Sequence, residues 1–480
     1  MATATTLRKV LKLRTVISTS AGMALATSCY LAGMQVATML AGELAWISIL
    51  VAGSLCLLSA LCFSELTAQY PTAAGIKLFI QNAFNERIAI VIGMFYVLMG
   101  ITMVGAESYL LSSVLMDSLP LVSPAFDRVL WVIAFIAFVG FINVRGVKLT
   151  GLVQDILTYA MLLFLVGVSL YTFTRVGVDI PAALAHPKLT WGNVLNAAGV
   201  GVFLYVGFEW VTPLAEETTD YRMIGRGMLW AIGILSITYS LFTVAMVTGL
   251  SHLAPEFIRR GTDIPHIEFG RALFGSGGVL FFVAMSILAS VTSFNSGLLN
   301  TSRFAYAMAR DNVLPKIFSR IHPDYATPWF AILGLMVFAL VVCFLILFSG
   351  RYMFIIIMAA ALECFIYVVM ALCVIRLRRK FPDRERSFKV PGGYLVPALT
   401  VVIFLGLLLG IFCDVTRDHT GKILFANGWV ALVMAGFFLG TALYTLYVVP
   451  IFKKKAAELA GKRVKRRPGR TAGAGTEAGE

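Results

Sequence analysis

The chain has 480 residues, of which 59% are hydrophobic and only 13% are charged, and its formal net charge at pH 7 is +14. A soluble domain is nearer half apolar and about a quarter charged, so this composition indicates a membrane protein. The positive charge does not indicate a nucleic-acid partner, because its distribution along the chain follows a membrane topology.

Twelve apolar stretches are long enough to cross a hydrocarbon core, which needs roughly 17–25 helical residues. Every loop between them is short, which predicts an all-α membrane protein with twelve transmembrane helices and no soluble domain. The predicted spans are 15–40, 46–69, 88–116, 129–146, 149–174, 193–217, 225–250, 275–309, 328–349, 353–376, 393–413 and 427–452.

The lysines and arginines predict the orientation of these spans. With the N-terminus placed in the cytoplasm, 30 of the 39 basic residues fall on the inner side and 9 on the outer side. Such an asymmetry is typical of cytoplasmic loops, so both termini are expected in the cytoplasm and the protein in the cell (inner) membrane. The inner basic residues predict contact with anionic membrane lipids. The domains are a cytoplasmic arm (1–14), a twelve-helix domain (15–452) and a basic tail (453–480).

The sixth span contains a feature that a simple membrane helix would not have. Its run VGVFLYVGFEWVTPLAEE sets Gly207 close to Glu209 at mid-length. Non-helical backbone at that depth is tolerated only where it is buried in protein or lines a wet cavity. Half-helices that face a central site are typical of secondary transporters. Because an unpaired buried carboxylate costs ~2.5–3.5 kcal/mol, Glu209 must be protonated, paired or bound to a cation.

Cofactor chemistry has little support in this sequence. All seven cysteines lie inside predicted spans without a Cys-x-x-Cys pair, and all five histidines lie in predicted loops. Without a His or Cys cluster in the membrane, zinc, haem and quinone sites have no ligands. We therefore expect no cofactor, no metal site and no enzyme activity.

Five runs in chain order resemble the amino acid–polyamine–organocation superfamily of secondary transporters. The resemblance extends over roughly residues 15–400, and its most specific part is the run that leaves the eighth span. The runs are FSELTAQYPTAAG, NVRGVKLTGLVQ, GFEWVTPLAEE, NTSRFAYAMARDNVLPKIF and RLRRKFPDRERSFKVPGG.

The resemblance implies a LeuT-like fold of two five-helix repeats, 15–174 and 193–376, inverted about an axis in the membrane plane. The helices of 393–452 lie outside the repeats, and the first helix of each repeat (spans 1 and 6) is broken at its centre. In such transporters a substrate carboxylate meets free amides in span 1, and its ammonium meets free carbonyls in span 6. The partial charges at helix ends, roughly +0.5 and −0.5, give this arrangement its physical basis.

In span 1 the resemblance points to Ser20, Ala21 and Gly22 as the substrate-binding run. Small residues let a ligand approach the backbone. The same residues would also permit close packing of helices, and this alternative remains open.

In span 6 the carbonyls of Val206, Gly207 and Phe208 are the expected ligands of the substrate's ammonium group. Phe203 matches the position of an aromatic gate over the substrate, with packing as the alternative. Glu209 matches a glutamate that the family uses for proton coupling or for gating hydrogen bonds.

Two further carboxyl groups lie near the middle of predicted spans. Glu107 in span 3 matches a position beside the substrate side chain, and it is also a second candidate for proton coupling. Glu363 lies in span 10. Both favour a cationic substrate, and the alternative is a hydrogen bond from a protonated glutamate. The acidic residues nearer helix ends are expected to be structural, to snorkel or to reach interfacial water: Glu65, Asp155, Glu216 and Glu217.

Span 8 offers Asn295 and Ser296 as cavity-lining residues, with packing as the alternative. Thr292 and Ser293 could add hydroxyls to a sodium site. Span 5 has no lysine, with Met161 at the position where some proton-coupled relatives carry one, so an acidic residue must carry any coupled proton.

These patterns predict a secondary active transporter of amino acids or related amines that works by alternating access. The two central glutamates favour a basic amino acid or polyamine, moved by H⁺-coupled symport or by exchange, with Na⁺ as the other candidate ion. The alternative is a transporter-like nutrient sensor or a channel. A channel would need a continuous polar lining, and the polar positions here are isolated.

Overall fold

A computed structural model of the chain describes residues 7, 9–26, 45–118, 121–178, 197–198, 201–256, 265–349, 351–417 and 423–465. These residues are almost entirely helical. The α-helices are α1 Leu13–Ala24, α2 Ala45–Gln69, α3 Gly75–Ala83, α4 Glu86–Ser118, α5 Pro124–Val144, α6 Val147–Val176, α7 Arg222–Leu253, α8 Pro265–Arg310, α9 Trp329–Ser349, α10 Tyr352–Lys380, α11 Leu395–Cys413, α12 Gly428–Leu443 and α13 Val449–Lys465.

Shorter elements complete the described chain. Two 3-10 segments, η1 Val202–Tyr205 and η2 Phe208–Glu216, precede α7, and a third, η3 Lys316–Ser319, follows α8. Strands β1 Val415–Arg417 and β2 Ile423–Ala426 form an antiparallel hairpin where the sequence predicts a loop. A π-helical turn, Tyr444–Val448, joins α12 to α13.

Nine helices in the described ranges are long and apolar enough to cross a membrane, and each coincides with a predicted span. Burial separates central from outer helices. The apolar stretch of α10 is 83% buried, whereas that of α11 is 28% buried. On α11, Leu395 and Val402 are exposed, as expected for side chains that face lipid.

The sixth predicted span is not a continuous α-helix. Gly207 separates η1 from η2 with a φ of +104°, a left-handed conformation that favours glycine. A Cβ atom at Gly207 would lie 2.1 Å from Cγ of Met23, so the chain at the break also packs directly against α1. The segment η2 is enclosed by α1, α2, α7 and α8. The interruption therefore lies inside the helix bundle.

Two ends of predicted spans need a closer description. The stretch given as α8 is interrupted at Gly275, whose φ of +62° is not helical, so the predicted start of the eighth span at 275 coincides with this kink. Residues 265–274 form a separate helical segment before the kink, and His266 therefore lies in a helix and not in the predicted loop. Helix α1 ends at Ala24 and runs without a break through Ser20–Gly22. The rest of the predicted first span, 27–40, lies outside the described residues. Ser20–Gly22, the predicted substrate-binding run, therefore lie in the last turns of α1, and the break expected at the centre of span 1 stays a prediction.

Candidate functional site

The break at Gly207 exposes few of the carbonyls that the sequence predicts to be free. The Phe208 carbonyl accepts a hydrogen bond from the Ser20 hydroxyl at 2.7 Å. The Gly207 carbonyl accepts one from the Trp210 amide at 3.1 Å. Of the three predicted ligands, Val206 alone has a carbonyl that receives no donor from the described residues. The expected role of these three carbonyls as ligands of an ammonium group stays a prediction, since a carbonyl that accepts one hydrogen bond keeps a second lone pair.

Glu209 lies at the start of η2 and is completely buried. Its two carboxyl oxygens accept hydrogen bonds from two phenols, Tyr96 of α4 at 3.3 Å and Tyr367 of α10 at 3.2 Å. Phenols are neutral donors, so they satisfy the oxygens without cancelling a charge. Glu209 is thus held between two helices by groups that leave its protonation state open.

A second buried carboxyl group, that of Glu363, lies beside Glu209 within hydrogen-bonding reach. Glu363 precedes Tyr367 by one turn of α10, which puts both side chains on the same face. Trp210 Nε1 donates to Oε1 of Glu363 at 3.2 Å, and Oε2 receives no hydrogen bond from the described residues.

No lysine or arginine in the described part of the chain neutralises this carboxyl pair; the other titratable groups around it are two phenols and two thiols, namely Tyr96, Tyr367, Cys56 and Cys364. Two adjacent carboxylates without a cation are costly in a buried site. The pair is therefore suited to hold one proton between its members.

Aromatic side chains form the walls around the carboxyl pair. The rings of Tyr96 and Trp210 stack with centroids 4.1 Å apart, and Phe208 packs against Tyr367 at 5.5 Å. Phe63 of α2 makes edge contacts with Phe208 and Tyr367, both at 6.1 Å. Sequence reasoning missed Tyr96, Tyr367 and Trp210, although a tyrosine one turn after Glu363 was a signal that could have found one of them.

Phe203, predicted as an aromatic gate, lies in η1 and is buried. The carbonyl of Phe203 accepts a hydrogen bond from the Val206 amide at 3.1 Å, which closes the last turn before the break. Residues 179–196 and 199–200, which lead into η1, lie outside the described residues.

Glu107 does not contact the carboxyl pair and lies further along α4. It lies eleven residues after Tyr96 on α4, which corresponds to about 16 Å along the helix axis. The Ser290 hydroxyl of α8 donates to Glu107 at 2.6 Å. One turn further along α8, Ser293 donates to the Met23 carbonyl at 3.0 Å. Glu107 therefore lies near the end of α1 and not beside Glu209.

Gly22 lies on the face of α1 that packs tightly against α6, whereas Ser20 faces η2 and donates to the Phe208 carbonyl. A Cβ atom at Gly22 would lie 1.9 Å from Nε2 of Gln154 and 2.6 Å from Oγ1 of Thr158. The small size of Gly22 is therefore required by helix packing, which was the alternative interpretation of this run.

Side-chain donors cover the carbonyls of the last turns of α1. Ser296 donates to the Thr19 carbonyl at 2.7 Å, in addition to the bond from Ser293 to Met23. Thr292 has a buried hydroxyl without a partner among the described residues. Of the two hydroxyls predicted for a sodium site, Ser293 is therefore used in a bond between α8 and α1, and Thr292 is not used in the described residues. No cluster of three or more His, Cys, Asp or Glu side chains suited to a metal ion occurs in the described ranges.

Asn295 is fully engaged in a network of scaffold helices. Its amide nitrogen donates to Oε1 of Gln154 at 2.8 Å and to the Thr150 carbonyl at 3.3 Å. Its amide oxygen accepts a hydrogen bond from Asn143 at 2.9 Å. These contacts favour packing between α5, α6 and α8 over the lining of a substrate cavity.

The acidic residues at the C-terminal end of η2 are paired with arginines, unlike Glu209 at its start. Glu217 and Arg303 are both 0% exposed and form a salt bridge of 2.9 Å. Glu216 and Arg310 pair at 2.9 Å nearer the surface. The expectation that Glu217 reaches interfacial water is wrong, because Arg303 of α8 supplies its charge partner inside the protein.

The two other acidic residues near helix ends are structural, as the sequence predicts. Glu65 of α2 is buried and accepts hydrogen bonds from Arg378 at 2.9 Å and from the Val390 amide at 2.8 Å. Asp155 of α6 pairs with Arg14 at 3.1 Å and accepts the hydroxyl of Thr15 at 3.0 Å.

Comparison with known proteins gives a consistent picture. A family model described as amino acid permease matches residues 11–452. The branched-chain amino acid permease BcaP of Bacillus subtilis is 25% identical over 433 residues, covering 84% of this chain and 85% of that protein. The vacuolar cationic amino acid transporter 8 of Arabidopsis thaliana is 24% identical over 437 residues, covering 85% and 69%.

A third relative is similar over a shorter length. The low-affinity putrescine importer PlaP of Escherichia coli is 24% identical over 288 residues, covering 57% of this chain and 61% of that protein. All three relatives are permeases or transporters by name, and none is an enzyme. Their names include a neutral amino acid class, a cationic amino acid class and an amine.

Proposed function

This chain belongs to the amino acid permease family, and we propose that it is a secondary active transporter of amino acids or related amines that works by alternating access. The observation that carries the proposal is the interruption of the sixth span at Gly207, with the buried carboxyl of Glu209 directly after it. A segment that is broken inside the bundle and lined by ionisable groups is typical of a transport site.

The full proposal includes twelve spans in the inner membrane, of which ten form two inverted repeats of five and two lie outside the repeats. Both termini lie on the cytoplasmic side. Its support is the positive charge on the inner loops and the match of the family over 11–452. All three named relatives are permeases or transporters, which disfavours the sensor and channel alternatives.

For the coupling ion, we favour a proton over sodium. Glu209 and Glu363 form a buried pair without a cation in the described residues, and such a pair can gain or lose one proton while Tyr96 and Tyr367 continue to donate. Of the two hydroxyls expected at a sodium site, Ser293 already donates to the Met23 carbonyl, and sodium stays the second candidate. Exchange of one substrate for another remains compatible with the same site.

For the substrate, Glu107 supports a basic amino acid or an amine. It is buried beside the end of α1 with a serine hydroxyl as a neutral partner. In the proposed transport cycle, the carboxyl group of Glu107 contacts a cationic group of the substrate. The similarity to a cationic amino acid transporter and to a putrescine importer agrees with this choice.

The test of coupling is transport by purified protein in liposomes, with Glu209→Gln as the variant and Glu385→Gln, an exposed loop residue, as the matched control. We expect net uptake driven by a proton gradient to fall at least about tenfold in Glu209→Gln, a loss of about 1.4 kcal/mol or more in the transition state. Exchange should be retained, because it needs no net proton release.

Proton-driven uptake by Glu209→Gln at the wild-type rate would contradict the coupling role. A sodium gradient that drives uptake equally in wild type and variant would replace the proton as coupling ion and leave the transporter assignment intact.

The substrate class can be tested by thermal unfolding of the purified protein with a panel of amino acids and amines. A ligand that binds only the folded state raises the unfolding temperature. We expect Glu107→Gln to reduce the shifts caused by cationic ligands more than those caused by neutral ones. An equal reduction for both classes would remove Glu107 from the selectivity argument.

A further inference from the structure

A groove lies between the C-terminal ends of α3 and α10, far from the carboxyl pair. Its volume is about 560 Å³ and it is open to the surface. Its lining combines cationic residues, Arg376, Arg379 and Lys380, with apolar ones, Phe84, Leu372 and Ile375. The groove thus has a charged part and an apolar part side by side.

The two arginines of the groove have no acidic partner among the described residues. In the part of the chain that the structure describes, neither Arg376 nor Arg379 has a carboxylate within salt-bridge distance, and both are exposed. Arg376 lies over the ring of Phe84, 4.8 Å from its centroid, and Lys380 donates to the Asn82 carbonyl at 3.0 Å.

Arg378, on another face of the same helix, gives the contrast. Its guanidinium group pairs with Glu65 and donates to the Val390 carbonyl at 3.1 Å. One face of the end of α10 therefore stabilises the fold. The groove face leaves positive charge unpaired.

The order of residues along α10 matches the order of chemical groups in a lipid. Leu372 is 38% exposed and lies one turn before Arg376, while Arg379 and Lys380 lie one turn after it. Apolar side chains therefore come first along the exposed face, and three cations follow towards the predicted cytoplasmic end. Basic residues near a helix C-terminus also complement the helix dipole, but the dipole does not require an apolar groove beside them.

We propose that this groove binds an anionic phospholipid of the inner leaflet. Its phosphodiester headgroup contacts Arg376, Arg379 and Lys380, and an acyl chain lies along Leu372 and Ile375. Basic pockets between helices on the cytoplasmic side are suited to anionic headgroups, and guanidinium groups form paired hydrogen bonds with phosphate oxygens. A free phosphate ion would use the cations alone, which distinguishes the two ligands.

The experiment uses the full chain in detergent and three probes: short-chain phosphatidylglycerol, short-chain phosphatidylcholine and inorganic phosphate. The variant is Arg376→Gln/Arg379→Gln/Lys380→Gln. The matched control, Arg226→Gln/Arg320→Gln/Lys389→Gln, removes the same charge from exposed residues outside the groove. The readouts are the thermal unfolding midpoint and the number of bound lipids by native mass spectrometry.

We expect phosphatidylglycerol to raise the midpoint of wild type and control by at least about 2 °C, and to have no effect on the groove variant. Arg379→Gln alone, a milder change if the triple variant folds poorly, should lose roughly half of the shift. The proposal is overturned if the groove variant responds like the control, if phosphatidylcholine acts as strongly, or if inorganic phosphate reproduces the whole effect.

Discussion

Glu209 and Glu217 lie eight residues apart at the two ends of η2, the segment that follows the break at Gly207. Both side chains are completely buried. Glu217 is paired with the guanidinium group of Arg303, which also donates to the Leu299 carbonyl at 3.3 Å. Glu209 has two phenols and another carboxyl group as neighbours. The same residue type thus meets a permanent charge at one end and neutral partners at the other.

The difference between the two sites separates a structural role from a functional one. A buried carboxylate with a fixed cation must stay ionised, because removal of either partner leaves an uncompensated charge. A buried carboxyl group among hydroxyls can change its protonation state while its hydrogen bonds reorganise. We therefore interpret Glu217 as a structural residue and Glu209 as a residue of the proposed transport site.

The largest expected effect is a loss of stability when the ion pair between Glu217 and Arg303 is broken. Arg303→Met leaves Glu217 buried without a cation, and we expect a loss of about 3–5 kcal/mol in stability, measured as a lower unfolding midpoint in detergent. The double variant Arg303→Met/Glu217→Gln removes both charges and should recover most of this loss. If the single and double variants unfold alike, the pair is not the source of the stability.

The second effect tests the break itself. Gly207→Ala places a Cβ atom 2.1 Å from Met23 in a residue with φ +104°, and such strain costs about 1–3 kcal/mol. We expect strongly reduced transport, measured as uptake into liposomes. Gly233→Ala is the control, because a Cβ atom there meets nothing within 4 Å and the residue lies within α7.

Adding Met23→Ala to Gly207→Ala separates the two causes of strain. The double variant removes the contact with Met23 but keeps the unfavourable φ. Partial recovery of uptake would mean that both contribute. Wild-type uptake by Gly207→Ala alone would show that the left-handed break is not needed for transport.

The sequence was sufficient for features that depend on local pattern. Apolar length predicts the helices, and Gly207 next to a buried carboxyl group predicts the interruption. Helix-end position predicts the structural roles of Glu65 and Asp155. Each of these follows from residues that are close together in the chain, so no knowledge of the partner helix is needed.

The partners of these residues could not be predicted, because they are distant in the chain. Tyr96 and Tyr367 are 113 and 158 residues from Glu209, and Arg303 is 86 residues from Glu217. The length of α1 depends on similar contacts. Its last carbonyls are covered by side chains of α8, Ser293 and Ser296, which are about 270 residues away in the chain.

The smallest expected effect is at a single neutral hydrogen bond of the functional site. Tyr367→Phe keeps the ring and its packing against Phe208 and removes one donor to Glu209. A hydrogen bond of this kind contributes about 1 kcal/mol, so uptake should fall by about fivefold. The unfolding midpoint should move much less than in Arg303→Met, because Tyr96 continues to donate to the same carboxyl group. A loss of stability as large as that of the ion-pair variant would mean that Glu209, like Glu217, is held mainly for the sake of the fold.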